Sequence, residues 1–141
     1  MTGAIHNAEP VWVNGRPTQP KEIERGDEVA CIAASGRLRR ARVNRVTRGG
    51  GKGTVWLHGA SGAQIRCLWG ERVAILVEGK RRYRRAEAVE MGDFLCRLVD
   101  GQMTVDPVVA IRQVQESVPA IILEIPAVSL LSEEGYLCRP S

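Results

Sequence analysis

A seven-residue motif that occurs twice is the sequence feature that most constrains how this chain can fold. Each copy consists of an aliphatic residue, Glu, any residue, Gly, Asp, any residue and an aliphatic residue, at residues 23–29 and 89–95. Gly permits a tight backbone turn, and an Asp side chain can accept hydrogen bonds from nearby backbone amides. The repeat predicts two similar β subunits related by a pseudo-two-fold axis, with structural turns at Gly26, Asp27, Gly92 and Asp93.

The rest of the chain is typical of short strands joined by turns. Apolar and polar residues alternate over short segments bounded by Gly, Pro, Asn and Asp. Asn14-Gly15, residues 59–62 and Asp100-Gly101 indicate hairpins. No apolar pattern of helical period persists for three turns, so helices should be at most single turns. The sequence predicts an all-β fold, with a tail over residues 1–9 and one domain over residues 10–141.

Residues 48–53, which contain four glycines, are predicted to form a flexible loop. Their composition suggests a phosphate-binding loop, but such a loop needs Gly-Lys followed directly by Ser or Thr at the start of a helix. Here Lys52 is followed by Gly53 and Thr54, and then by a predicted strand. The sequence therefore predicts no cofactor and no small-molecule substrate.

The four cysteines are Cys31, Cys67, Cys96 and Cys138, and no two of them form a CxxC pair. Three of them lie in apolar strand patterns, which favours buried free thiols that act as small hydrophobic residues. A disulfide framework or a zinc site is the alternative interpretation. With only two histidines in the chain, a mixed Cys/His metal site has few ligands available, and no metal site is predicted.

Positive charge is clustered, in a chain with a net charge of +4. Such clusters can bind phosphates or a partner protein, and they can equally be solvated faces of strands and turns. The candidate phosphate- or partner-binding residues are Arg37, Arg39, Arg40 and Arg42 in one cluster, and Lys80, Arg81, Arg82, Arg84 and Arg85 in another.

The N-terminus has neither a basic start nor an apolar run, so no signal peptide is predicted. The longest apolar stretches are too short and too interrupted to span a bilayer. We therefore expect a cytoplasmic protein, or one assembled into a virion-like particle, with no membrane partner.

The order of these features resembles a Hint domain, the fold shared by inteins and hedgehog autoprocessing domains. The resemblance extends from about Ala8 to Arg139. It includes the two Gly-Asp turns, a hairpin before the position of a Thr-x-x-His motif, and a closing segment of aliphatic strand, apolar pair, Gly and apolar-His-Asn. In this chain the closing segment corresponds to residues 121–125, Leu130-Leu131 and residues 135–139.

The chain departs from that family at each position that carries its chemistry. The family's opening Cys or Ser attacks the preceding carbonyl, its Thr-x-x-His histidine protonates the scissile amide nitrogen, and its terminal Asn cyclises in inteins. The opening position falls on Ala8 or Glu9, the Thr-x-x-His motif on residues 68–71, which end in Glu71, and the His-Asn pair on Cys138-Arg139. We therefore expect no catalytic residues and no enzyme activity. His6-Asn7 lies in the predicted tail and is interpreted as coincidental.

Three functions remain after these departures. The first is a non-catalytic structural or adaptor protein that binds protein partners in an oligomeric assembly, such as a minor head, connector or tail component of a phage-like particle. The second is a small basic module that binds nucleic acid through the arginine clusters. The third is a residual autoprocessing domain that uses a cysteine with His58 as its base.

Overall fold

The computed structural model describes residues 2–33, 35–127 and 129–140, and among them the chain is built almost entirely of short strands. Two single-turn 3-10 helices, Pro20–Glu22 and Ala86–Ala88, are the helical elements of this part, and neither is long and apolar enough to cross a membrane. The strands are β1 Thr2–His6, β2 Val11–Val13, β3 Arg16–Thr18, β4 Glu28–Ile32, β5 Leu38–Arg42, β6 Arg45–Gly51, β7 Thr54–Gly59, β8 Gln64–Leu68, β9 Arg72–Val77, β10 Lys80–Arg85, β11 Phe94–Val99, β12 Gln102–Val114, β13 Val118–Glu124, β14 Ser129–Leu131 and β15 Leu137–Arg139.

The strands form two antiparallel sheets. A three-stranded sheet has the order β1-β13-β6, and a twelve-stranded sheet runs β3-β2-β4-β14-β15-β9-β11-β12-β7-β8, with β5 paired to β4 and β10 paired to β9. Strands β14 and β15 come from the C-terminal end of the chain and join β4 to β9. The predicted all-β fold with at most single-turn helices is confirmed.

The two halves of the large sheet repeat the same local structure. Each half has a tight hairpin (β2-β3, β9-β10), a single 3-10 turn, a Gly-Asp turn and a strand that pairs with the hairpin. Gly26 and Gly92 have φ values of +92° and +87°, in the left-handed region that glycine adopts without strain. The duplication predicted from the two motifs is therefore present, with the same order of elements in each half.

The two aspartates make corresponding hydrogen bonds. Oδ2 of Asp27 accepts the backbone N–H of Glu24 at 2.8 Å, and Oδ2 of Asp93 accepts that of Glu90 at 2.9 Å. Backbone bonds then tie each turn to a later segment, at Val43 between β5 and β6 for the first turn and at Val108 on β12 for the second. Each carboxylate therefore satisfies backbone donors of a turn that leads into a core strand.

The predicted N-terminal tail is wrong, because residues 2–6 form β1. This strand pairs antiparallel with β13 over its whole length, from Thr2 opposite Glu124 to His6 opposite Ala120. The side chains of Ile5 and His6 are both buried. The segment has no strong strand pattern of its own, and its order comes from a partner strand at the far end of the chain.

The predicted flexible loop at residues 48–53 is also wrong over most of its length. Strand β6 runs through Gly51 and pairs with β13, with Gly49 opposite Ala120 and Gly51 opposite Val118. Two of the glycines are closely packed: a Cβ on Gly49 would lie 2.8 Å from Cδ1 of Ile122, and a Cβ on Gly51 2.7 Å from Cδ2 of Leu68.

Among the residues that the structure describes, two of the three apolar clusters lie on opposite faces of the large sheet. The main core includes Val29, Ile75 and Leu95. A smaller cluster on the other face contains Ile32, Ala74 and the fully buried Leu137. The smaller cluster is only partly covered, and it is flanked by the half-buried side chains of Trp12, Ala30, Leu76, Tyr83 and Leu98.

Candidate functional site

Polar side chains from the N-terminal segment, from the end of β8 and from β15 meet in the interior. We term this cluster the polar centre. It is placed by long-range pairing, since β1 contacts β8 and β15 pairs with β9, which follows Glu71. Its members are His6, Glu9, Arg66, Cys67, Glu71 and Cys138.

Glu71 lies at the middle of the polar centre and is 2% exposed. The tight turn after β8, in which Gly70 has a φ of +90°, points its side chain inward. Its Oε1 accepts the backbone N–H of Leu68 at 3.1 Å, and its carboxyl also bonds the backbone N–H of His6 and the thiol of Cys67. Burial raises the pKa of Glu71 to about 8, although these hydrogen bonds oppose the shift.

Glu9 is the second carboxyl of the polar centre. Its Oε2 lies 3.8 Å from Nε of Arg66, which is longer than a hydrogen bond. The Arg66 guanidinium instead donates from Nη2 to the carbonyl of Ala8 at 2.9 Å and stacks over the Trp56 ring at 4.5 Å. Burial therefore outweighs the attraction of Arg66, and the pKa of Glu9 rises to about 8.

The two thiols of the polar centre are fully enclosed. Cys67 is 0% and Cys138 2% exposed. Burial raises the pKa of each thiol well above its usual value, and the nearby Glu71 carboxyl adds to the shift in both. All four cysteines are buried free thiols, as predicted. Because the thiolate is the reactive form, this shift disfavours reaction of these thiols at neutral pH.

The imidazole of His6 is held neutral beside these groups. Burial, reinforced by the positive charge of Arg66, lowers the pKa of His6 to about 4. Its Nδ1 accepts the backbone N–H of Ala8 at 3.1 Å. The interpretation of His6 as part of a tail is therefore wrong. His58, by contrast, is a half-buried strand residue that stacks on Trp56.

The chemistry available to the polar centre follows from these protonation states. At neutral pH both thiols and the Glu71 carboxyl are mainly protonated, and His6 is uncharged. A protonated carboxyl can act as a general acid. Nucleophilic attack, however, requires an activated group, and the nucleophilic side chains of the polar centre are the two protonated thiols.

The structure brings together the positions at which the Hint resemblance placed its chemistry. Glu9, Glu71 and Cys138, from three distant parts of the sequence, are close enough that their charges influence one another. Sequence reasoning did not find His6, Arg66 or Cys67 as neighbours of these positions. His6 reaches the polar centre because β1 pairs with β13 and contacts β8, the strand that carries Arg66 and Cys67.

The basic clusters lie elsewhere, on edge strands of the large sheet. Arg39, Arg40 and Arg42 are exposed on β5, and Arg37 is exposed on the turn before it. The second cluster is the strand β10. The two approach each other where Nη1 of Arg81 lies 3.9 Å from the position of a Cβ on Gly36.

The members of the β10 cluster differ in how far they are already engaged. Arg84 is paired with Asp93 at 2.9 Å, and Arg81 is half-buried. Lys80, Arg82 and Arg85 are exposed. The phosphate- or partner-binding role predicted for both clusters stays a prediction.

A cleft on the less covered face of the sheet was not expected from the sequence. It has a volume of about 240 Å³, and its lining residues come from four strands and one turn that are remote in sequence. They are Trp12, Gly15, Glu28, Ala30, Leu38, Arg39, Arg40 and Leu131. The one hint of the cleft in the sequence is a leucine, Leu38, in an arginine-rich strand. Its exposure follows only once the register of β5 is known.

The chain is similar in structure to several inteins. It superposes on the TvoVMA intein with a TM-score of 0.82 at 17% identity, over 96% of both chains. It matches a DnaB intein from Synechocystis sp. PCC 6803 with a TM-score of 0.81 at 19% identity, and an intein from a hyperthermophile with a TM-score of 0.80 at 12% identity, each over 99% of both chains. No protein-family model matches the chain, and no curated protein matches its sequence.

Proposed function

We propose a function for this chain on the basis of its Hint fold, which covers nearly its whole length. On that fold, we propose that the chain is a non-catalytic adaptor or structural protein that binds protein partners in an assembly. The observation that carries the proposal is the polar centre, where the positions of the family's nucleophile, acid and terminal His hold Glu9, Glu71 and Cys138, all buried or nearly so. A minor component of a phage-like particle is the setting that we propose for it.

Exposed apolar side chains support a role in binding protein. Among the described residues, the exposed large hydrophobic side chains are Leu38, Val77, Met91, Phe94, Met103, Val105 and Val109. Phe94 and Val105 lie on the same face of neighbouring strands, since β11 and β12 pair Phe94 with Pro107 and Cys96 with Val105. Apolar residues grouped in this way on a sheet face are typical of interaction surfaces.

Intact mass spectrometry of a fusion protein tests the absence of catalysis. A short tag is attached to each end of the chain, and the fusion is incubated with a thiol and with hydroxylamine. We expect a single unchanged mass. The same fusion in denaturant reports any cleavage that the reagents cause alone. A cleaved or ligated product that appears only in the folded protein would contradict the proposal.

Sedimentation tests the role in an assembly. Lysate from the source cells and the purified protein are run on parallel gradients. In the lysate, we expect the protein to migrate with a larger particle or with protein partners. A protein that sediments as a monomer under both conditions would contradict the proposal.

Nucleic-acid binding is the second candidate function, favoured by the approach of the two basic clusters at Gly36 and Arg81. Stacking of bases on Tyr83, however, is opposed by its surroundings. Arg139 lies 5.0 Å from the Tyr83 ring centroid, and the Tyr83 hydroxyl hydrogen-bonds Ser129. A labelled oligonucleotide in a salt series tests this candidate, because phosphate contacts weaken steeply as salt rises. No binding at low salt would rule it out.

A further inference from the structure

The cleft between β2 and β5 is suited to one large side chain. Trp12, Ala30, Leu38 and Leu131 give it a mainly apolar lining. Its volume of about 240 Å³ is smaller than the roughly 300–1,000 Å³ of pockets for small molecules and cofactors. An inserted apolar side chain is therefore a better match to it than a metabolite.

The register of β4 and β5 explains why this cleft is open and apolar. Leu38 lies opposite Ile32, and Arg40 lies opposite Ala30, so all four side chains are on the face of the smaller apolar cluster. Leu38 is 59% exposed at the mouth of the cleft. The Trp12 side chain is held in place because its Nε1 donates to the carbonyl of Glu133 at 3.2 Å. The cleft is therefore preformed, and covering Leu38 would bury apolar surface.

Unpaired arginines lie along the strand that borders the cleft. Arg40 lines the cleft on the same face of β5 as Leu38, and Arg42 follows on that face. Arg39 also borders the cleft, but its place opposite Cys31 puts its side chain on the other face, and Arg37 is on the same hairpin. Within the part of the chain that the structure describes, none of these four has a carboxylate oxygen within the 4.0 Å of an ion pair. Glu28 is the one acidic residue of the lining. The local charge is thus positive, and it favours an occupant that carries carboxylates.

We propose that this cleft takes a single apolar side chain from an acidic protein segment, whose carboxylates pair with Arg40 and the neighbouring arginines of β5. The inference rests on the proposed protein-binding function and names the surface and the chemistry of the partner. Arginine pairs with carboxylates in a bidentate geometry. A nucleic acid would satisfy the arginines and leave the cleft without an aliphatic anchor.

Synthetic peptides test the proposal by fluorescence anisotropy with the full chain. The probe is a labelled Glu-rich peptide with one central Leu. Matched peptides replace that Leu by Ser or every Glu by Lys, and a single-stranded oligonucleotide is the fourth probe. We expect the acidic Leu peptide to bind at least about tenfold more tightly than either matched peptide. Equal binding of the Ser peptide, tighter binding of the oligonucleotide, or no binding of the acidic Leu peptide would each overturn the proposal.

Matched variants locate the site. Leu38→Asp is compared with Thr47→Asp on β6, since both residues are exposed on a strand and Thr47 lies outside the cleft. The double variant Arg39→Glu/Arg40→Glu is compared with Arg45→Glu/Arg48→Glu, which makes the same charge change on β6. We expect about tenfold weaker binding in the first member of each pair and less than about twofold change in the second. Similar losses in both members would overturn the proposal, and thermal unfolding confirms that each variant is folded.

The same variants separate this inference from the proposed function. In one outcome the wild-type fusion protein is not cleaved, and the Arg39→Glu/Arg40→Glu variant captures the same partners as the wild type. The cleft proposal then fails and the adaptor proposal stands. If the folded fusion protein is cleaved, the adaptor proposal fails whatever the peptides do.

Discussion

Glu71 is the residue whose burial has the clearest consequence for stability. Its pKa is raised from 4.5 to about 8, so the native state keeps a proton that the unfolded chain loses within this range. Stability from this proton is complete below about pH 4.5 and is lost as the pH rises towards 8. Glu9 acts in the same direction. His6, with its pKa lowered from 6.5 to about 4, acts in the opposite direction and only between those values.

The Glu71→Gln variant isolates this contribution. Its side chain is neutral at every pH, so we expect its stability to fall less than that of the wild type between pH 6.5 and 8. The expected relative gain at pH 8 is about 1–2 kcal/mol. Urea denaturation at several pH values measures it, with Glu90→Gln, at an exposed position, as the control. An unchanged difference between wild type and variant across this range would contradict the prediction.

Asp106 offers a second prediction for a single residue, because its buried carboxylate is fully engaged. It accepts the Ser61 backbone N–H at 2.9 Å, the Ser61 hydroxyl at 2.6 Å and the Tyr136 hydroxyl at 2.5 Å. Although burial opposes it, these bonds lower the pKa of Asp106. We expect Asp106→Asn to lower the free energy of unfolding by roughly 2–3 kcal/mol. Chemical denaturation checks this, and Asp100→Asn, at an exposed turn, should change stability far less.

At the scale of elements, the glycines of β6 provide a matched series. A Cβ on Gly49 or Gly51 would contact Ile122 or Leu68 at under 3 Å, whereas a Cβ on Gly50 has its nearest neighbour, the Val118 carbonyl oxygen, at 3.7 Å. We expect Gly49→Ala and Gly51→Ala each to destabilise by about 1–3 kcal/mol, and Gly50→Ala to be neutral or slightly stabilising. Thermal denaturation ranks the three. Equal effects at all three positions would mean that β6 is not packed against these side chains.

Elements with local signals were predictable, and those with distant partners were not. The hairpins at Asn14-Gly15 and Asp100-Gly101 carry their turn chemistry in the sequence, and both central pairs adopt positive φ. Strands β1 and β6 carry no such local signal. Both pair with β13 near the other end of the chain, so their order depends on a partner that local sequence patterns do not show. Three glycines in a row suggest flexibility until the bulky side chains that face them are known.

The same distinction applies to the candidate sites of the whole molecule. Order and spacing placed Glu71 and Cys138 at positions of the Hint chemistry, and the two lie together in the polar centre. The other members of the centre depend on strand pairing between remote segments. The cleft at Leu38 could not be predicted, since it needs the registers of β2, β4, β5 and β14 at once.

The duplicated halves are expected to unfold as one unit. Strands β14 and β15 join β4 of the first half to β9 of the second, and residues of both halves share the main core. Asp27 and Asp93 make equivalent backbone hydrogen bonds and share no partner, while Asn14 also donates to Asp27 and Arg84 also pairs with Asp93. We therefore expect Asp27→Ala and Asp93→Ala each to lower the stability of a single transition by about 1 kcal/mol, and the double variant to show their sum. Circular dichroism and tryptophan fluorescence should give coincident urea transitions, with the exposed Glu116→Ala as the control. If Asp27→Ala separates an early transition that Asp93→Ala leaves unchanged, the halves are independently stable, and the C-terminal strands do not couple them.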